Sequence, residues 1–157
     1  DFSSSAGGEW SHTNIITTYR GSDDYLGPFS TDIGEPQSVT LHLGPQPMGT
    51  YNIRFELLTC DSMDDEAFEL RLGVGGTVLL SDTLIWPDWG NCIALPESVS
   101  FPHPGGDLVL EFWSDTDQAA GDEWWGIDSV ELIGPPNQDD GAPSTDLRRR
   151  RHRLRRH

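Results

Sequence analysis

The stretch YNIRFELL, residues 51–58, decides the fold, because apolar and polar side chains alternate along it. Tyr51, Ile53, Phe55 and Leu57 fall on one face, as they do in a strand that buries one face in a core. The same period of two recurs in SVTLHL (38–43), AFELRL (67–72) and DLVLEF (107–112), each bounded by Gly, Pro, Asp or Asn. These four segments predict half-buried antiparallel strands.

Weaker strand patterns occur in NIITTY (14–19), TVLL (77–80), SVSF (98–101) and GIDSVELI (126–133). Together the segments predict about eight strands and no helix, and a chain of 157 residues fits one domain. The spacing and the turn residues favour an all-β, two-sheet antiparallel β-sandwich, a jelly roll, over a closed barrel. We expect the sandwich to occupy residues 1–134, a polar, proline-containing linker 135–147, and an extended basic arm 148–157.

The charge of the chain is divided unevenly. All 26 acidic residues and three arginines precede Arg148, so this part carries a net charge of −23, whereas the last ten residues contain seven arginines and the chain has no lysine. With so few cations available, the acidic residues need water, a metal ion or the basic arm for compensation.

Two cysteines, Cys60 and Cys92, are present. In an extracellular protein two cysteines most simply form one disulfide, which would stabilise the fold by about 3 to 4 kcal/mol on the chain-entropy model. The alternative is a pair of buried free thiols in a cytosolic protein. No cysteine or histidine spacing indicates zinc.

Acidic residues cluster in CDSMDDE (60–66), in SDTDQAAGDE (114–123) and inside the strand pattern GIDSVELI. If one strand ends near Asp61 and Asp64 and its neighbour starts near Glu123 and Asp128, their carboxylates converge at one rim of the sandwich. Hard cations such as Ca²⁺ take six to eight oxygen ligands, and rim loops can supply them. These four residues are therefore predicted calcium ligands. The alternative is a solvated acidic rim that keeps the protein soluble.

Three motifs, DYLGPF (24–29), IRFELLTCDSMDDEAF (53–68) and DEWWGIDSVEL (122–132), resemble a widespread secreted sandwich module related to MAM-like and laminin-G-like jelly rolls. The resemblance spans roughly residues 10–133 and implies calcium at the rim, with adhesion, carbohydrate binding or assembly as the function. It implicates the same four acids as ligands. Met63 and Ser129 depart from the pattern, which has Trp and Asn there.

Tryptophan is abundant, and IWPDWGN (85–91) predicts an exposed loop that carries Trp86 and Trp89. Alternation is expected to turn Trp113 and one of Trp124 and Trp125 inward. Trp86, Trp89 and Trp124 are therefore candidate contact residues, either for sugar rings that stack on indoles or for a protein partner.

The basic arm has its own predicted role. Arginine pairs with carboxylates in a bidentate manner, so the arm is expected to bind the acidic body of a neighbouring copy and to propagate a head-to-tail filament or surface layer. The acidic body would repel the phosphates of a nucleic acid, which makes nucleic acid an unlikely partner. The residues assigned to this self-association are Arg148, Arg149, Arg150, Arg151, Arg153, Arg155 and Arg156.

Catalysis is not expected. Asp122 or Glu123 could form part of a glycosidase carboxylate pair, which needs two acids roughly 5 to 9.5 Å apart in a cleft, but nothing in the pattern enforces it, and no nucleophile motif is present. No apolar run approaches the roughly 20 residues needed to cross a bilayer, and a start at Asp1 is typical of a processed secreted protein or an excised fragment. The sequence thus predicts a secreted or surface-exposed, calcium-stabilised structural or adhesive subunit that self-associates, with a carbohydrate-binding module as the alternative.

Overall fold

A computed structural model describes residues 8–13, 15–16, 24–31, 37–85, 91–118 and 121–136. These residues form nine strands and contain no helix. The strands are β1 (Ile15–Ile16), β2 (Tyr25–Phe29), β3 (Ser38–Gln46), β4 (Gly49–Asp61), β5 (Ala67–Leu72), β6 (Thr77–Thr83), β7 (Cys92–His103), β8 (Gly106–Ser114) and β9 (Glu123–Ile133).

The strands form two antiparallel sheets. The five-stranded sheet has the order β1-β2-β9-β4-β7, and the four-stranded sheet has the order β3-β8-β5-β6. Phe55 of the first sheet meets Phe68 and Phe112 of the second, with ring centroids 6.0 and 5.2 Å apart. The predicted all-β sandwich is confirmed, and its core lies between these two sheets.

Strand β4 shows why the alternation decides the fold. Tyr51, Ile53, Phe55 and Leu57 are at most 2% exposed, whereas Arg54 between them is exposed. Burying each such apolar side chain contributes about 1.5 to 3 kcal/mol. A slip of one residue would turn all four outward, so burial fixes the register of β4.

Proline explains two differences from the predicted strands. Strand β2 lies in the motif DYLGPF, where no strand was predicted, and it contains Gly27 and Pro28, which usually interrupt strands. Strand β7 runs for 12 residues, whereas only a short piece around residues 98–101 was expected. It contains Pro96 and Pro102, which are tolerated because β7 is the edge of its sheet.

The tryptophans also divide by alternation. Trp125 is fully buried and packs 4.5 Å from the ring of Phe29. Trp113 was expected to face inward, but its neighbour Phe112 takes the inward position, so Trp113 is half-buried on the outer face. The guanidinium carbon of Arg71 lies 4.2 Å from the centre of the Trp113 ring. Arg71 therefore covers this indole through a cation–π contact.

Cys60 and Cys92 form the predicted disulfide. The two residues lie opposite each other in the β4–β7 ladder, next to the point where β4 ends at Asp61. The disulfide therefore closes the ladder at the rim that carries the acidic residues.

Candidate metal centre at the acidic rim

The rim is built by the neighbouring strands β4 and β9. These strands are antiparallel, and Asp61, the last residue of β4, pairs with Glu123, the first residue of β9. The chain then passes through residues 62–66 and enters the other sheet at Ala67, the first residue of β5. We call residues 61–66 the acidic loop. Because this loop joins the two sheets at one rim, its carboxylates lie close to the start of β9.

Three carboxylates converge there. Asp64, Glu66 and Glu123 each offer an oxygen, and these oxygens all lie within 4.8 Å of one another. Two ligands that are each about 2.4 Å from a Ca²⁺ ion can be at most about 4.8 Å apart. We call these residues the three-acid group, and their spacing fits a single divalent cation.

Glu123 is the most unusual member of the three-acid group. Its side chain is 0% exposed, and neither carboxylate oxygen accepts a hydrogen bond from an N–H, a hydroxyl or a cation among the described residues, so its side-chain partner is the Glu66 carboxyl when the two share a proton. An ionised carboxylate in such a place costs several kcal/mol unless a proton or a cation compensates it. Burial is the largest cause that raises the pKa of Glu123, followed by repulsion from Asp64 and Asp117.

Glu66 shares this environment. Glu66 is 8% exposed. Its pKa is raised to about 7, and burial is the largest cause of this rise. One oxygen of Glu66 accepts a hydrogen bond from the backbone N–H of Asp64 at 2.8 Å, which holds the two residues together. Near neutral pH the three-acid group therefore retains protons that a divalent cation would displace.

No described cation neutralises the three-acid group. Of the two arginines in the described ranges, Arg71 bonds to Glu69 and Glu111 on the outer face of the four-stranded sheet. Arg54 lies opposite Glu131 in the β4–β9 ladder, toward the end of β9 that is far from the rim. Compensation by an arginine side chain is thus absent from this part of the chain as the structure describes it.

The acidic loop is fixed on both sides of the three-acid group. Met63 is 0% exposed and anchors the loop in the core. The backbone N–H and the hydroxyl of Ser62 both donate to the carbonyl oxygen of Asp122, at 3.0 and 2.8 Å. At the far end the carbonyl oxygen of Glu66 accepts from the N–H of Leu84 at 2.7 Å. These contacts anchor the acidic loop on either side of Asp64.

Only part of the predicted ligand set lies in the three-acid group. Asp64 and Glu123 belong to it, whereas Asp61 turns away and accepts a hydrogen bond from the indole N–H of Trp124 at 2.9 Å. Asp61 has a backbone φ of 62°, and this left-handed conformation redirects its side chain.

Asp128 lies away from the other three predicted ligands. It lies five residues along β9 from Glu123, which is about 16 Å at the usual strand rise, and it pairs with Glu56. Its side chain is 2% exposed and lies on the outer face, the opposite side from Trp125 and Ile127, and it accepts a hydrogen bond from the Ser129 hydroxyl at 3.3 Å. Asp128 therefore lies outside the three-acid group.

Glu66 was missed as a ligand. The acidic run was recognised, but spacing alone does not show how the loop returns to the rim. One signal was available: AFELRL was predicted as a strand, and Glu66 immediately precedes it. A residue at the start of β5 lies at the end of the second sheet that adjoins the end of β4.

Trp124 contacts the acidic loop through its hydrogen bond to Asp61. It is half-buried on the outer face of the five-stranded sheet, where it packs against Tyr25, Leu58 and Cys60. Trp86 and Trp89 lie outside the described residues. The residues that flank their segment are anchored at the same rim, since the carbonyl oxygen of Ile85 accepts from the Thr59 hydroxyl and that of Asn91 accepts from the Asp61 N–H, both at 3.0 Å.

Solved structures share this architecture. A family 35 carbohydrate-binding module from an environmental isolate matches 83% of the chain and 85% of its own, with 14% identity and a TM-score of 0.51. Two cleaved adhesin domains of Lys-gingipain from Porphyromonas gingivalis match 86% and 85% of the chain and 96% and 97% of their own, with 13% and 14% identity and TM-scores of 0.56 and 0.55. At this identity the likeness concerns the fold.

No protein-family model matches the chain, and no curated protein does. The resemblance to MAM-like and laminin-G-like modules therefore stays a prediction, while the neighbours are carbohydrate-binding and adhesin β-sandwich domains. Among the described residues there is no helix that could cross a membrane.

Proposed function

We propose that this chain is an extracellular, non-catalytic carbohydrate-binding module whose rim is stabilised by a calcium ion. The observation that carries the calcium assignment is the buried Glu123 carboxylate, which accepts no hydrogen bond from an N–H, a hydroxyl or a cation in the described part of the chain and lies with Asp64 and Glu66. Three carboxylates supply three to six oxygens, and water can complete the six to eight that Ca²⁺ takes. The disulfide supports an oxidising, extracellular setting.

Carbohydrate binding is supported by the shared fold and by the position of Trp124. The carbohydrate-binding module and the adhesin domains have the same sandwich architecture. Trp124 presents a half-buried indole at the rim where Ile85 and Asn91, which flank the segment that contains Trp86 and Trp89, are also hydrogen-bonded to β4. Apolar faces of sugar rings stack on such indoles, and half-burial leaves one face for contact.

A glycan array with the wild-type protein and two matched variants tests this function. Trp124→Ala should lower affinity for the glycans that bind by about tenfold or more, as truncation of a contact aromatic does. Trp113→Ala removes a half-buried indole from the outer face of the other sheet and should leave glycan binding intact. Trp86→Ala and Trp89→Ala extend the test to the neighbouring segment. An array without any bound glycan, or equal losses in both matched variants, would contradict the proposed function.

Self-association through the basic arm is the other function predicted from the sequence. Strand β9 carries the chain from Glu123 at the acidic rim to Ile133 at the opposite end, about 33 Å away at the usual strand rise. Residues 137–147 could span a distance of this order, so this geometry does not decide between the rim of the same chain and that of another copy. Residues 148–157 lie outside the described part of the chain, so self-association through the arm stays a prediction.

A further inference from the structure

Glu123 and Trp124 are neighbours in β9 whose side chains point to opposite sides of the sheet. Successive residues of a strand alternate between faces. Glu123 faces the sandwich interior with Asp64 and Glu66, while Trp124 lies on the outer face beside Tyr25. A cation in the three-acid group and a ligand on Trp124 would therefore bind on opposite sides of one strand end.

The acidic loop connects the two sides. Asp61 accepts the hydrogen bond of the Trp124 indole at 2.9 Å, and Asp64, three residues later, belongs to the three-acid group. Between them Ser62 is tied to the carbonyl oxygen of Asp122, the residue that precedes Glu123. A shift of Asp64 is thus transmitted through a short, hydrogen-bonded segment to the acceptor of Trp124.

Electrostatic repulsion between carboxylates favours a shift of the acidic loop when no cation is bound. Asp64, Asp117 and Asp122 all repel the carboxylate of Glu123, and Glu123 repels that of Glu66. Without a cation this repulsion opposes close approach of the loop to β9, whereas a divalent cation draws the three carboxylates together. An acidic cluster alone would not establish a ligand. The independent observation that does is the fully buried Glu123 side chain, whose two oxygens accept no hydrogen bond from an N–H, a hydroxyl or a cation in the described residues.

We propose that a divalent cation bound by Asp64, Glu66 and Glu123 fixes the acidic loop and, through the Asp61–Trp124 hydrogen bond, the orientation of the Trp124 indole, so that ligand binding at Trp124 depends on the cation. This inference rests on the proposed function for its ligand and names the control of that site. Asp61 acts here as a positioning residue. Coupling of this kind is reciprocal, so removal of the cation weakens ligand binding by the factor by which the ligand tightens cation binding, typically about 5- to 150-fold.

The test follows the Trp124 indole by NMR in protein with ¹⁵N-labelled tryptophan. Trp124→Phe keeps an aromatic ring but removes the N–H, so the missing resonance identifies Trp124. Addition of CaCl₂ should shift this resonance and slow its exchange with solvent, with saturation at the cation concentration that saturates binding in calorimetry. Glu123→Gln should abolish both the binding and the shift.

Two variants at residue 61 separate the coupling from cation binding. Glycine accepts the φ of 62° and removes the hydrogen-bond acceptor, so Asp61→Gly should bind calcium while its Trp124 resonance no longer responds. Asp61→Asn also tolerates this conformation and keeps an acceptor oxygen, so it should retain most of the response. Glycan affinity, measured with calcium and with EDTA, should fall about tenfold or more without calcium in the wild type and by much less in Asp61→Gly.

The results that would overturn the coupling differ from those that would overturn the proposed function. Calcium that binds without moving the Trp124 resonance, or an Asp61→Gly variant that responds like the wild type, overturns the coupling and leaves the proposed function standing. Absence of glycan binding contradicts the proposed function, while the NMR response still decides the link between the cation and Trp124. Absence of calcium binding in calorimetry overturns both the cation site and the coupling.

Discussion

Replacement of Glu123 by glutamine should change stability in opposite directions with and without calcium. In the cation-free protein the wild type buries the Glu123 carboxyl beside Asp64 and Glu66, and Asp64 repels its charged form, whereas a glutamine amide can donate to both neighbours. A buried polar group without a hydrogen-bond partner costs about 1 to 3 kcal/mol, which sets the scale. We expect Glu123→Gln to stabilise the cation-free protein by about 1 to 3 kcal/mol.

With calcium the order reverses. Calcium at 100 times its dissociation constant stabilises the wild type by about 2.7 kcal/mol. For a domain of this size each kcal/mol raises the melting temperature by about 2 to 4 °C, so the increase should be about 5 to 11 °C. Glu123→Gln loses one charged ligand and should show little of this increase.

Thermal unfolding of both proteins by calorimetry, in EDTA and in calcium, measures the reversal. Asp128→Asn is the matched control, because it removes a buried carboxylate from the same strand but lies about 16 Å from Glu123. Its melting temperature should rise with calcium as the wild type's does. A wild type whose melting temperature ignores calcium, or a Glu123→Gln variant that keeps the full increase, would refute this account of the rim.

Three further predictions concern pH, the disulfide and the arm. The pKa of Glu66 is about 7 in the folded protein against 4.5 in its unperturbed state, so the cation-free protein should lose stability as the pH rises from about 4.5 to 7. Calcium affinity, measured by calorimetry, should increase over the range around pH 7. If neither the stability nor the calcium affinity depends on pH, this prediction is wrong. Replacement of Cys60 and Cys92 by serine should lower the free energy of unfolding in urea by about 3 to 4 kcal/mol, and an unchanged midpoint would argue against a stabilising bridge. Deletion of residues 148–157 should reduce particle size in light scattering at low salt but not at high salt, where the wild type is already dissociated; assembly that survives the deletion would remove the arm from the explanation.

Much of the fold follows from the period of two in the sequence. The alternation in β4 correctly predicted the burial of Tyr51, Ile53, Phe55 and Leu57, because only one register places all four in the core. It failed at β2, where Gly27 and Pro28 conceal a strand, and at β7, whose prolines are compatible with an edge position that the sequence does not reveal. The pairing of strands, rather than their existence, decides such positions.

The sequence could predict the part of the site that depends on which strand ends are adjacent. The end of β4 and the start of β9 were expected to meet, and the structure pairs Asp61 with Glu123 there. Which acidic residues belong to the three-acid group depends on the direction of their side chains. A left-handed φ turns Asp61 toward Trp124, a separation of five strand residues removes Asp128, and the return of the acidic loop brings in Glu66. The left-handed φ of Asp61 cannot be read from the sequence spacing, whereas the positions of Asp128 and Glu66 can be read from it once the strand bounds are known.

A crystal structure of the protein grown with calcium, with an anomalous difference map, tests the central claim most directly. We predict one calcium peak with carboxylate oxygens of Asp64, Glu66 and Glu123 at about 2.3 to 2.6 Å. A map without a peak between these side chains, with the Glu123 carboxyl protonated and hydrogen-bonded to Glu66 instead, would contradict the claim that a divalent cation makes this buried acidic rim stable.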